Sequence, residues 1–408
     1  MRGEKSDLSP VFYECIYFIY YVCVLFYCYL HSTMFMLRNE PAMQTFLAVG
    51  GIFIIVLNLM FVRGWKMPQL IFAMVIGVSF LFTWLQFYPA GFPRTYVFPF
   101  AAMIIGAHGL SGKKIMNVHF AVCALLLVIT VLAMAGGFIE NLVYVQASHQ
   151  YKPRYAFGSV YPTDFAAHIL FLFLTLVWIR GRKMTWLENA AIFAAAIFCF
   201  QYCDARTTCI CLLLLGIGVA LEKICTVKTG SAACRRWKTV FNSRGMGIFF
   251  LLIGPVLASL MIMLSYCYRD DSTIMQMLNK VLNGRLSLGR EAFVQYNVKL
   301  FGQVVPMVGF GGTTVPPDHY FFLDCSYLNI LFRFGPVVLF CLLACFELLI
   351  CRSWKEKNMQ RLFALCICLL CCCIEHHLIE VSYDPFPLLV FAGSAGRSVT
   401  KRLHKEIA

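Results

Sequence analysis

Apolar runs long enough to cross a lipid bilayer recur along the whole chain, and no other feature limits its fold so strongly. They lie at about 11–30, 43–62, 68–87, 95–110, 115–138, 164–179, 186–203, 207–222, 246–267, 326–350, 362–380 and 385–396. A helical crossing needs about 20 mostly apolar residues, so these runs predict about 12 transmembrane helices. The fourth carries Pro99, and the last is short and carries Pro385 and Pro387, so these two fit a regular helix least well. Composition agrees. The 408 residues are 60% hydrophobic and 13% charged, with a mean hydropathy of +0.75, beyond what a soluble core needs. The expected fold class is therefore all-α, a polytopic helical membrane protein forming a single integral membrane domain over 1–408.

A formal charge of +14 does not point to nucleic acid here, because the basic residues sit in short clusters at the ends of apolar runs. That placement sets topology. With the N-terminus inside, most of the 34 Lys and Arg fall on the cytoplasmic side, and both termini are expected in the cytoplasm. Arg2 and Lys5 precede an aromatic run with no small-residue cleavage pattern, which reads as a signal anchor. Two external segments stand out, at 139–163 and 268–325. Within the second, 272–282 and 291–301 show broken apolar periodicity suited to amphipathic helices along the membrane surface, separated by glycine and proline turns. Most of the 20 cysteines lie inside apolar runs and read as small hydrophobes, with no disulfide framework. Cys371, Cys372 and Cys373 would point around much of a helix, so they are read as core rather than as metal ligands.

Eleven basic residues remain outside: Arg38, Arg94, Lys152, Arg154, Arg206, Arg269, Lys280, Arg285, Arg290, Lys299 and Arg333. Most lie in or beside the two long segments and the short turn Asp204-Ala205-Arg206, against the prevailing bias. An anionic ligand on the outer face would account for them, since guanidinium groups grip a diphosphate through paired hydrogen bonds. Contact with anionic lipid or solvent is the plainer alternative. A second polar cluster, Glu375, His376, His377, Glu380 and Asp384, falls at the outer end of the run 362–380, where His376 and Glu380 would share a helix face. A proton relay, a metal pair and a simple interfacial cluster all fit that spacing.

The segment Asn283-Gly284-Arg285-Leu286-Ser287-Leu288-Gly289-Arg290-Glu291-Ala292-Phe293 is followed by Leu300-Phe301-Gly302-Gln303 and Gly309-Phe310-Gly311. Then comes Asp324-Cys325-Ser326-Tyr327-Leu328-Asn329-Ile330-Leu331-Phe332-Arg333-Phe334-Gly335-Pro336, where a loop runs into an apolar helix. Upstream lie Arg154-Tyr155-Ala156-Phe157-Gly158, Tyr161-Pro162-Thr163-Asp164 and Asp204-Ala205-Arg206-Thr207. This ordered set, over about residues 150–340, resembles the O-antigen polymerase and ligase superfamily. The resemblance implies a Wzy-type polymerase with a membrane glycosyltransferase (GT-C-like) architecture in a bacterial inner or plasma membrane. It would join undecaprenyl-diphosphate-linked oligosaccharide repeat units into capsular, exopolysaccharide or O-antigen chains. Its partners would be that lipid-linked oligosaccharide and membrane lipids, with a chain-length regulator left open and no nucleic acid.

Under this resemblance Arg154, Arg206, Arg285 and Arg290 bind the donor diphosphate. Asp324, with Asp318 or His319 as substitutes, takes the acceptor proton, giving inversion in one displacement. The donor is already activated, so no cofactor is expected, and no metal is required if arginines neutralise the leaving group. No Asp-x-Asp motif lies in an external segment, and Asp270-Asp271 lacks that spacing. Asp324 is equally well placed to cap the helix beginning near Tyr327. The ligases of the superfamily carry His at the position of Asp324, which separates this chain from them. Two other classes stay open. A flippase of the same lipid-linked units has a similar helix number, although this chain shows no two-fold repeat. A membrane acyltransferase would need a buried His, for which His108 and His168 are the candidates.

Overall fold

The computed structural model describes residues 8–37, 39–87, 97–145, 151–227, 232–241 and 243–393. Arg38, Arg94 and Lys228, with the terminal basic residues, lie outside the described residues. The described residues are mostly helical. Its helices are α1 (Leu8–Leu30), α2 (Glu40–Phe61), α3 (Met67–Phe87), α4 (Val97–Gly106), α5 (Gly112–Ala135), α6 (Pro162–Arg180), α7 (Trp186–Cys203) and α8 (Arg206–Val227). They continue with α9 (Ala232–Phe241), α10 (Arg244–Tyr266), α11 (Thr273–Val281), α12 (Arg285–Gln295), α13 (Ser326–Arg333), α14 (Gly335–Lys355) and α15 (Met359–Cys371). Among the described residues, nine helices are long and apolar enough to cross a membrane, and α4 and α15 are shorter apolar helices. This is an all-α, multi-pass membrane protein. A two-stranded antiparallel ribbon, β1 (Val143–Tyr144) with β2 (Arg154–Tyr155), occupies the segment between α5 and α6.

Three apolar runs fold differently from expectation. The run 326–350 is broken at Gly335, whose φ of +88° ends α13 before α14 begins. The run 362–380 is helical only to Cys371. The run 385–396, with its two prolines, forms no α-helix in its described part, only a 3-10 turn at Phe386–Leu389. Non-helical backbone is tolerated in a membrane protein where it is enclosed by protein, and residues 377–379 and 381–392 are buried. Arg352 satisfies the carbonyls of this segment, donating to Leu389 and Ala392 from Nη1 (3.1 and 3.4 Å) and to Val390 from Nη2 (3.0 Å). Its last described residue, Gly393, meets the backbone of Leu110 and Gly112, at the start of α5.

Polar side chains tie the helices together where hydrocarbon offers them no partner. Tyr13, Tyr17 and Tyr20 of α1 donate to the carbonyls of Gly106 (2.5 Å), Met103 (3.0 Å) and Leu47 (2.8 Å). Asn58 of α2 donates to the carbonyls of Gly106 and His108. At one end of the bundle Arg182, after α6, donates to the carbonyl of Lys357 (2.8 Å), so the ends of α6 and α14 meet there.

The long segments gather at the opposite end. α11 matches the expected surface helix over 272–282 and exposes Ile274, Met277 and Val281 on one face. The second expected helix, 291–301, is displaced: α12 runs Arg285–Gln295, while Leu300 and Phe301 form a turn. α12 is seated directly on α10, since a Cβ at Gly289 would lie 2.5 Å from Ser265 Oγ. Gly302, at φ +77°, packs against the break before α14, where an added Cβ would lie 2.0 Å from the Arg333 carbonyl oxygen. This close backbone contact fixes the Leu-Phe-Gly turn against α13 and carries the loop toward Asp324.

Candidate functional site

A cleft of about 610 Å³ opens among these segments. Five pieces of chain build it: the ribbon, the first turn of α6, the start of α12, the loop 310–324, and the turn after α15. Its ionisable lining residues are Arg154, Asp164, Arg285, Asp324, Glu375 and His376. Its aromatic lining residues are Tyr144, Tyr161, Phe310, Tyr320 and Phe322, of which Tyr320 donates to Asp324 Oδ2 (3.4 Å) and Phe322 lies 5.3 Å from the His376 ring. The rings support one another: Tyr144 lies 5.8 Å from Tyr161 and 5.6 Å from Phe310, and Phe310 lies 5.9 Å from Tyr320.

Arg285 and Asp324 form the centre. Arg285 Nη1 is 2.7 Å from Asp324 Oδ2, with side chains only 12% and 13% exposed. The guanidinium is also aimed by donating from Nε to the carbonyl of Ile374 (3.0 Å) and from Nη1 to that of Asn283 (3.3 Å). Burial opposes its charge, but Asp324 and Glu375 outweigh burial and hold its pKa above the ordinary value. Burial pushes the Asp324 carboxyl up to about 6, against the pull of Arg285. Asp324 is therefore a stronger proton acceptor than a solvated aspartate. Its other oxygen, Oδ1, faces His376 Nδ1 at 3.8 Å.

The capping role for Asp324 does not hold. The N-cap of α13 is Cys325, which makes no side-chain cap hydrogen bond. The amide of Ser326, which a cap would serve, already donates to the carbonyls of Cys372 (3.0 Å) and Glu375 (3.2 Å). The Ser326 hydroxyl donates to the Glu375 carbonyl as well (2.6 Å), joining the start of α13 to the turn after α15.

Of the four expected arginines, the cleft holds two. Arg154 is buried, lines the cleft and donates from Nε to the Cys203 carbonyl (3.0 Å). Burial lowers its pKa, and the nearby Asp204 works in the other direction. Arg206 sits at the start of α8, 61% exposed, beside Asp204 at 3.5 Å, and does not line the cleft. Arg290 also points elsewhere. Five residues along a helix amount to about 500°, or about 140° of rotation, so Arg285 and Arg290 of α12 face different ways. Arg290 donates to the Tyr266 carbonyl (2.8 Å) and lines a separate hollow with Arg269 and Asp271. Asp318 and His319 are exposed and outside the cleft, with His319 Nε2 3.3 Å from Glu291.

The cluster after α15 is not on a helix, contrary to the expected shared helix face. It follows the end of α15 and includes a 3-10 turn at His377–Ile379. His376 and Glu380 nevertheless meet (3.5 Å), and His377 Nδ1 lies 3.0 Å from Glu380 Oε2. Asp384 accepts from the amide of Phe386 (2.9 Å), a local turn role. Of the two histidines considered for an acyltransferase, His108 stacks on Trp65 at a centroid distance of 3.8 Å beyond α4, at the far end of the bundle, and His168 meets Ser32 Oγ at 2.7 Å. Neither lines the cleft. The five aromatic rings had no signature of their own in the sequence, since loop aromatics carry no spacing rule. All five lie in the two external segments, but only Tyr161 and Phe310 fell within the shorter motif pieces. No family model, curated protein or solved structure matches the chain.

Proposed function

We propose that this protein is a polysaccharide polymerase: an inverting glycosyltransferase that joins undecaprenyl-diphosphate-linked oligosaccharide units into long chains. The observation that carries this reading is the lining of the cleft. It combines the buried guanidinium of Arg154 with the mostly buried guanidinium of Arg285 and carboxylate of Asp324, set among aromatic rings, with Tyr320 donating to Asp324 Oδ2 (3.4 Å) and Phe322 5.3 Å from the His376 ring. Guanidiniums suit a diphosphate, and aromatic faces suit the apolar faces of sugar rings. In the reaction the acceptor hydroxyl oxygen bonds to the anomeric carbon. The bond from that carbon to the diphosphate oxygen breaks, with its electron pair leaving on the diphosphate beside Arg285 and Arg154. The hydroxyl proton passes to Asp324. Arg206 and Arg290, outside the cleft, are not assigned to this donor site.

The finer topology belongs to the same reading: about 12 crossings in a GT-C-like arrangement, the cleft on the outer face of a bacterial inner membrane, and both termini in the cytoplasm. A cleft built from loops and helix ends favours a transferase over a flippase, whose binding groups line a cavity between two halves. Deleting the gene and resolving the cell's glycans on a gel tests the assignment. Single repeat units attached to their final acceptor are the expected product. Accumulation of unpolymerised lipid-linked units in the cytoplasm would show a flippase instead.

A further inference from the structure

The geometry points to a divalent transition-metal site, formed by His376 Nε2, His377 Nδ1 and the Glu380 carboxylate, beside the cleft that His376 lines. The donor atoms of these three residues all lie within 4.8 Å of one another. Two of the separations, 3.5 Å from His376 to Glu380 and 3.0 Å from His377 to Glu380, are near the ligand spacing of about 3.4 Å around a tetrahedral ion with bonds of about 2.0–2.1 Å. Neighbouring residues on an α-helix point about 100° apart. Here the end of α15 and the 3-10 turn at His377–Ile379 turn adjacent histidines toward one carboxylate. His376 turns one ring nitrogen toward Glu380 and the other toward Asp324 Oδ1, at 3.8 Å and so beyond hydrogen-bond distance, which leaves a carboxylate on the far side of the imidazole. His376 and Glu380 also line a small cavity of about 30 Å³ with Asp164, which leaves room for a water or a further ligand.

Two imidazoles and one carboxylate select zinc or a similar borderline metal over magnesium, which prefers all-oxygen shells. The ion's part in receiving a diphosphate rests on the polymerase reading. The site itself does not.

The test uses the full-length protein, purified in detergent, stripped with a chelator and titrated with zinc chloride. We expect one zinc retained per chain by elemental analysis. The thermal unfolding midpoint should rise with zinc, and excess magnesium chloride should not reproduce the effect. Glu380→Gln and His377→Asn should each weaken zinc binding by at least about tenfold, whereas His319→Ala, at an exposed histidine outside the cleft, should bind as wild type. Unfolding of the stripped variants near the stripped wild-type midpoint shows that the loss is of ligands rather than of fold. If either variant unfolds early, Glu380→Asp, which keeps a carboxylate, should restore part of the affinity. Retention of no zinc by the wild type, or equal binding by Glu380→Gln and His377→Asn, would overturn the proposal. A protein that binds zinc through these residues but makes no polymer would remove the polymerase reading and leave the site intact.

Discussion

Arg285 acts through shape as much as charge. Its Nε and Nη1 reach Ile374, Asn283 and Asp324 together, a fork that an ammonium group cannot copy. Arg285→Lys is expected to reduce polymer length and yield severely while membrane abundance stays near wild type. Arg290→Lys, in the separate hollow against Tyr266, should change polymer far less. Glycan gels and immunoblots of the two variants in a deletion strain would check this, and equal loss in both would return Arg290 to the site. At this scale the sequence made Arg285 and Asp324 legible, because they stand in an external segment against the charge bias and beside a helix start. Their pairing was not legible. It depends on the rotational phase of α12 and on a turn after α15 that a helix pattern would not suggest.

At the scale of elements, the cleft depends on the contact between the 300–303 turn and the break before α14. Gly335 has φ +88°, and an added Cβ would lie 2.3 Å from the Leu300 carbonyl oxygen, so Gly335→Ala meets both strain and a backbone clash. It should lower stability by more than about 1 kcal/mol, read as a lower thermal midpoint in detergent. Gly311→Ala, at φ +62° with no heavy atom within 4 Å, carries the strain alone and should cost less. Equal midpoints for the two variants would show that the backbone contact contributes little. Both Gly302 and Gly335 stood out in the sequence as motif glycines, but their mutual packing did not. The last apolar runs misled for a related reason. Apolar residues fit a lipid-facing helix and a buried irregular segment equally, and only the Arg352 contacts to the carbonyls of Leu389, Val390 and Ala392 separate the two.

For the whole molecule, apolar periodicity gave a reliable account of class because length and hydropathy alone decide which helices can span a bilayer. The relative placement of the ends follows from contacts such as Arg182 with Lys357, and the charge bias supplies the expected orientation. Reporter fusions at Lys183, Lys228 and Lys355 should therefore report the cytoplasm, and fusions at Lys152 and Lys299 the outside. A reversal at either group would put the cleft on the wrong face for lipid-linked units that have already crossed the membrane.

The most direct measurement is of bond formation in a purified system. Protein in lipid nanodiscs would be given an undecaprenyl-diphosphate-linked repeat unit, and chain length and released undecaprenyl diphosphate followed by mass spectrometry. The wild type is expected to form chains of several units with release of one diphosphate carrier per bond. Asp324→Asn is expected to bind the substrate and join none, because an amide does not accept the proton. Normal chain growth by Asp324→Asn would contradict its role as the base, and failure of the wild type to join units it binds would contradict the polymerase itself.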